Sequence, residues 1–350
     1  MSFITNIRSV AKYESKILVR SWFFRIFTLL AVVFLGFFNF AMMLMEDNFG
    51  LWFAKSVSSN IPYLNLLLLN TGQAVVAVFL SSEFLKRDKK LDTSEVFYVR
   101  PLSNAEYVVG KIWGNLRVFL FLNLLVLAIV LAFNFMASGV AVDLPAYLVY
   151  FFLISIPTLI FIIGLSIFLM LLLKNQALTF ILLLGYIGLT LFYIQDKFYY
   201  LFDYMVYNLP LFKSTIVGFS NLELILNHRA IYFFAGLGFI FFTIFLFKRL
   251  PNARRSHYPW LFLSFCMFLL MGTAGFRHVR SILREGEMRA LYTSINNKYV
   301  YEPKMAIDYY DISVEQKSET IRSVVGMEGT ALAASEVFIF CLNPGLRVEE

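Results

Sequence analysis

Blocks of roughly twenty apolar residues recur along the chain, divided by short polar stretches. That is the length an α-helix needs to cross a hydrocarbon core of about 30 Å. Seven blocks qualify: residues 22–45, 61–82, 112–137, 145–173, 177–195, 231–247 and 260–276, the last two near the lower limit. They predict an all-α polytopic membrane protein. Ahead of the first block, Phe3, Ile4, Ile7, Val10, Ala11, Ile17 and Leu18 recur at helical spacing, with Arg8, Lys12, Lys16 and Arg20 largely off that stripe. A basic amphipathic helix of this kind (residues 1–20) lies in the membrane interface beside a span; the plainer reading is a helix packed on the protein.

Beyond residue 303 the period shortens. Residues 307–315 alternate in part, a strand signal, and residues 336–342 read as a second strand before the turn residues Asn343, Pro344 and Gly345. The stretch between them has room for another. Three or four strands with little core are poorly stable alone, so residues 277–350 read as an incomplete β-sandwich and the chain as a piece of a longer protein.

Charge orients the spans. The N-terminal arm carries Arg8, Lys12, Lys16, Arg20 and Arg25, and the second and sixth connections are basic, whereas the first carries Lys55 against Glu46 and Asp47 and the third only Asp143. Cations stay on the cytoplasmic side, so the N-terminus and the even-numbered connections are expected inside and the tail outside. Arg277, Arg280, Arg284 and Arg289 argue the other way, but a long translocated segment overrides local charge. The fifth connection, residues 196–230, is too polar for a span and rich in Phe, Tyr and Leu, with breakers at Pro210 and Gly218. It reads as short helices re-entering the outer interface, or as a surface loop in the aromatic belt.

Composition excludes several classes. With 59% hydrophobic and 15% charged residues, the net charge of +7 belongs to span ends rather than to a nucleic-acid surface. Cys266 and Cys341 form no disulfide framework. The first twenty residues are too polar, and the run after them too long, for a cleavable signal peptide. Gly110-Lys111 is followed by Ile112 and lacks a glycine at Ala105, so no phosphate-cradling loop is present. His228, His257 and His278 are scattered, and no Gly-x-Ser-x-Gly elbow occurs. The chain reads as no enzyme, with no cofactor or metal of its own.

The island at residues 83–111 holds six Lys/Arg and five Asp/Glu between two spans. Asp92 to Glu95 and Ser103 to Glu106 both fit the capping-box spacing, and Arg100-Pro101 breaks the segment between them. The island is therefore expected to form two short cytoplasmic helices; the alternative is a solvated loop. Within the spans acids are scarce, which disfavours an ion-coupled carrier. Uncharged polar residues do occur there. Asn65, Asn70 and Gln73 of the second span either hydrogen-bond between helices or line a substrate path.

In order of elements, and in the stretches SSEFLKRDKKLDTSEVFYVRPLSNAEYVVGK and YNLPLFKSTIVGF, residues 1–250 resemble the permease subunits of type-2 ABC exporters. The family pattern falls on Glu83, on Pro101-Leu102-Ser103 and on Lys111. The resemblance implies a six-span domain (21–250), a dimer with a second copy or homologue, and separate ATPase subunits that hold ATP and Mg and dock on residues 83–111. Glu83, Glu95, Arg100, Pro101, Ser103, Glu106 and Lys111 are the expected coupling residues. The added span within 251–276 and the tail, with Tyr310 to Glu315 and Leu342 to Leu346, resemble bacterial proteins that join such a domain to an extracytoplasmic gluzincin-type aminopeptidase. No zinc motif is present to carry over. The expected place is the bacterial inner membrane; the alternative function is an anchor for an extracytoplasmic peptidase-like module.

Overall fold

The computed structural model describes residues 3–44, 57–90 (side chains through 81), 102–136, 141–214, 218–219, 221–247, 258–302, 304–317, 320–340, 342 and 346–348. The helices are α1 (Phe3–Arg20), α2 (Trp22–Leu44), α3 (Asn60–Lys90), α4 (Asn104–Met136), α5 (Leu144–Tyr150), α6 (Ile156–Leu173), α7 (Gln176–Leu189), α8 (Leu222–Leu246) and α9 (Tyr258–Lys298). A π-turn, Phe151–Ser155, joins α5 to α6, and a second, Thr190–Ile194, follows α7. Among the described residues seven helical segments are long and apolar enough to cross a bilayer, α5 and α6 together forming one of them. The protein is a multi-pass helical membrane protein.

The chain divides into two compact units, residues 1–215 with 219–278, and residues 279–350 with 216–218. In the first, α3 is the central helix, with 67% of its apolar window buried, against 17% for α2 and 22% for α7. The outward faces of α2 and α7 carry Leu29, Val33, Phe37, Ile181 and Leu184, as a helix bathed in acyl chains requires. The helix ends are capped by short polar side chains. Asp143, Asn175 and Asn221 each accept an N–H from the opening turn of α5, α7 or α8, at 3.2 Å. Helices α6 and α8 meet backbone to backbone. A Cβ on Gly164 would stand 2.7 Å from Gly236 O, and one on Gly236 would stand 2.7 Å from Ile160 O. Small residues permit this approach where no hydrophobic force drives helices together.

Four expectations change. The island does not hold free-standing short helices at its two ends. Residues 83–90 prolong α3, and residues 104–111 are the first turns of α4. The first capping box, Asp92 to Glu95, lies outside the described residues. The sixth span begins at Leu222, so residues 222–230 are helix, and the connection before it is irregular backbone with one 3₁₀ turn, Phe198–Tyr200. Residues 277–298 continue α9, because this stretch is rich in Arg, Glu, Met, Ala and Leu and lacks proline.

In the second unit the strands are β3 (Met305–Lys317) and β4 (Thr320–Ala331), an antiparallel ribbon with Ile312 opposite Val325 and Tyr310 opposite Met327. Two-residue strands, β1 (Lys213–Ser214) and β2 (Gly218–Phe219), precede them in the chain. The described residues of 336–342 form no strand. Ser335 donates its hydroxyl to Val337 O at 2.8 Å and accepts the Val337 N–H at 3.2 Å, a local turn that competes with a ladder. Among the described residues the tail is thus a helix end and a ribbon.

Candidate functional site

Polar chemistry concentrates where α1 meets the opening of α4. The Ser103 N–H donates to Glu106 Oε2 at 2.6 Å, and the Glu106 N–H donates to Ser103 Oγ at 3.2 Å. This is the reciprocal cap the spacing predicts, and it starts the 33-residue α4 itself. Glu106 Oε1 also accepts from Asn6 Nδ2 at 2.9 Å. One turn on, a Cβ at Gly110 would lie 2.7 Å from Val10 Cβ. At Gly114 it would lie 2.7 Å from Glu14 Cβ and 2.9 Å from Ala11 O. Residues 6, 10 and 14 therefore follow 106, 110 and 114, and the two helices run parallel at glycine-limited distance.

Polar side chains then lock the contact. Lys111 Nζ lies 3.6 Å from Glu14 Oε2, with each side chain 4% exposed. Ser15 donates to Gly114 O at 2.7 Å, and Arg117 donates to Ala11 O at 2.8 Å and to Ser15 Oγ. Tyr107 stacks on Phe247 at 5.5 Å between ring centroids, and Asn104 Nδ2 donates to Phe247 O, which ties the same turn to the end of α8. A displacement applied to residues 103–111 thus reaches α1, α4 and α8 together.

Of the expected coupling residues, Ser103, Glu106 and Lys111 come together in this junction. Glu106 and Lys111 are buried against α1 rather than presented on a surface, so their part is to fold the element. Glu83 lies on α3; Glu95, Arg100 and Pro101 lie outside the described residues. Asn6, Glu14 and Ser15 were not singled out from the sequence. The available signal was the i, i+4 glycine pair at 110 and 114, together with an acid among the cations of α1. The amphipathic stripe of α1 is spent partly on α4, with Ala11, Glu14 and Leu18 buried.

Asn65, Asn70 and Gln73 are fully buried and joined to neighbouring helices. Asn65 and Asn39 exchange amide hydrogen bonds at 2.7 and 3.1 Å across α3 and α2. Gln73 donates to Asn70 at 2.6 Å, Asn123 to Gln73 at 2.9 Å, Ser155 to Asn123 at 2.8 Å, and Asn70 to Asn123 and Ser155 at 3.3 Å. Asn65 and Asn70 donate to neighbouring elements and Gln73 accepts from α4, which is the interhelical reading of the pattern.

The middle of the connection between α7 and α8 is buried in protein, the condition under which irregular backbone is tolerated beside membrane spans, while Phe198, Tyr199, Phe202 and Phe212 stay exposed. Tyr204, Met205, Val206 and Leu211 have no exposed surface. Tyr63 donates to Val206 O at 3.2 Å, Tyr150 to Leu211 O at 2.6 Å, and Ser59 to Lys213 O at 2.8 Å. Lys213 Nζ pairs with Asp143 at 2.7 Å. Phe198, Tyr199 and Tyr200 all take positive φ, a left-handed turn unusual for bulky residues. His278 and His228 face the Tyr199 and Tyr200 carbonyls at 2.9 and 3.0 Å and hold it.

Beneath it, Arg229 satisfies a helix defect. Pro157 cannot supply the N–H that would close an α-helical bond onto Leu153 O, and Arg229 Nε donates there at 2.6 Å. Its Nη1 donates to Tyr204 O at 3.0 Å, and its Nη2 to Thr158 Oγ1 at 2.9 Å. Asp203 accepts the Tyr207 and Asn208 N–H groups at 3.0 and 2.8 Å. Burial pushes its carboxyl above the ordinary range, against the pull of those N–H groups and of Arg229.

No protein-family model and no curated protein matches this chain.

Proposed function

We propose that this protein is the membrane-spanning permease subunit of an ATP-driven exporter of the type-2 ABC kind. It would sit in a bacterial cytoplasmic membrane with its N-terminus inside and its tail outside, pair with a second copy or homologue, and be energised by separate ATPase subunits. The observation that supports this reading is the rooting of the 83–111 island. Its described ends are unbroken continuations of spans two and three, and α4 extends about 50 Å from its capping box to Met136 at 1.5 Å per residue. A partner pressing on residues 91–101 would move two spans as rigid rods, with α1 and α8 carried along by the junction. Glu95 and Arg100 are the proposed contacts, and Ser103, Glu106 and Lys111 the residues that keep the lever stiff.

The experiment is reconstitution with the ATPase encoded nearest to this gene. The expected result is co-purification and stimulated ATP hydrolysis, both lost in Glu95→Lys/Arg100→Glu while the protein still elutes as one species. Absence of any ATPase association sinks the reading. A second reading, an anchor for an extracytoplasmic peptidase-like module, is favoured by the β3–β4 ribbon. One of its faces carries the exposed Tyr310, Ile312, Val314, Val325 and Met327. It predicts that deleting the island leaves the outer module's attachment unchanged.

A further inference from the structure

The packing of α1 on α4 leaves a second face of α1 uncovered. Arg8, Lys12, Lys16 and Arg20 stand at strict four-residue spacing, and all four are exposed. At 1.5 Å per residue they form a ridge about 18 Å long. The acid of this helix, Glu14, is turned the other way, buried and paired with Lys111. The outward field of α1 is therefore positive along its whole length. Helix α1 ends at Arg20, and α2, which enters the bilayer, begins two residues later with the 76%-exposed Trp22. Tyr13 is exposed on the ridge side as well. Indole and phenol rings favour the headgroup level, so these two side chains mark the depth of the ridge.

We infer that this ridge is a binding surface for anionic phospholipid headgroups. A cluster of cations immediately beside a span meets the negative surface of an anionic leaflet, and each cation near that surface contributes separately. Because the opposite face of α1 is locked to α4 through Asn6, Gly110, Glu14 and Gly114, lipid held on the ridge also steadies the opening turns of α4. The inference rests on the membrane-spanning fold and stands whether or not an ATPase drives the protein.

The full chain in nanodiscs of phosphatidylcholine with 0, 15 or 30 mol% phosphatidylglycerol tests it. Bound lipid is counted by native mass spectrometry and stability is read by thermal unfolding. The wild type is expected to retain phosphatidylglycerol selectively and to melt higher as its fraction rises. Lys12→Gln/Lys16→Gln is expected to lower the phosphatidylglycerol preference about fivefold per cation removed, and to flatten the melting shift. Raising salt should weaken the wild-type preference, and soluble inorganic phosphate should not displace the lipid. Arg284→Gln/Arg289→Gln removes equal charge from exposed positions on α9 and should leave the preference intact. An equal loss in both double variants, or a preference unchanged in Lys12→Gln/Lys16→Gln, overturns the inference. Monodisperse elution of both double variants keeps misfolding apart from these outcomes.

Discussion

Replacing Arg229 by Met removes the guanidinium that bridges the π-turn, α6 and the buried connection before α8. Leu153 O then has no N–H from Pro157 and no Arg229 Nε, while Thr158 Oγ1 and Tyr204 O each lose a donor. A charge-assisted hydrogen bond contributes about 1.5–3 kcal/mol, and removing one member of a buried charged network costs about 3–5 kcal/mol. Methionine fills much of the vacated volume and carries no charge to desolvate, which offsets part of that. The expected loss is about 3 kcal/mol, measured as unfolding free energy in mixed micelles. Pro157→Ala supplies the missing N–H to Leu153 O. In that background the same arginine substitution should cost about 1–2 kcal/mol less, a coupling that a double-mutant cycle isolates from any effect of straightening the helix. A loss below about 1 kcal/mol for Arg229→Met, or strict additivity with Pro157→Ala, would refute the role assigned to this arginine.

At the junction, Gly114→Val should push α1 away from α4 and lower stability by about 2–3 kcal/mol, since its Cβ would overlap Glu14 and Ala11; thermal melting checks it. Lys111→Met should cost about 3 kcal/mol and Glu14→Gln a similar amount, with the double variant below their sum, because the two buried charges face each other at 3.6 Å. Asn123→Ala should destabilise by about 1–2 kcal/mol, within the range for interhelical polar contacts in membranes. Cysteines at Asn70 and Gln73 should resist a membrane-impermeant thiol reagent in the unenergised protein; rapid labelling would reopen the idea of a substrate path there.

The Ser103–Glu106 cap shows what kind of feature is legible in a single chain. A cap is closed by four consecutive residues, so its spacing is its geometry. The same sequence left Glu14 unexplained, because its value depends on Lys111, which lies far along the chain and meets it only once Gly110 and Gly114 let two helices touch. Asn65, Asn70 and Gln73 were recognisable as polar residues within a span, but their pairing with Asn39, Asn123 and Ser155 waits on which spans are neighbours. The second expected strand in the tail failed for a related reason. Alternation prepares a strand, yet a ladder needs a partner, and Ser335 offers the backbone a local turn instead.

What the sequence determined alone is which stretches form helices long and apolar enough to span a bilayer. A bilayer demands that each backbone polar group be satisfied within its own helix, so length and apolarity suffice to mark the seven spans. Tertiary structure decided where the exceptions go. It buried residues 203–206, Leu209 and Leu211 of the connection before α8, held three aromatic residues in a left-handed turn, and placed Arg229 over the carbonyl that Pro157 leaves open. Local hydrogen bonds such as those from Tyr207 and Asn208 to Asp203 shape the connection, but its burial and the bridging of Leu153 O depend on groups that the fold brings from other helices.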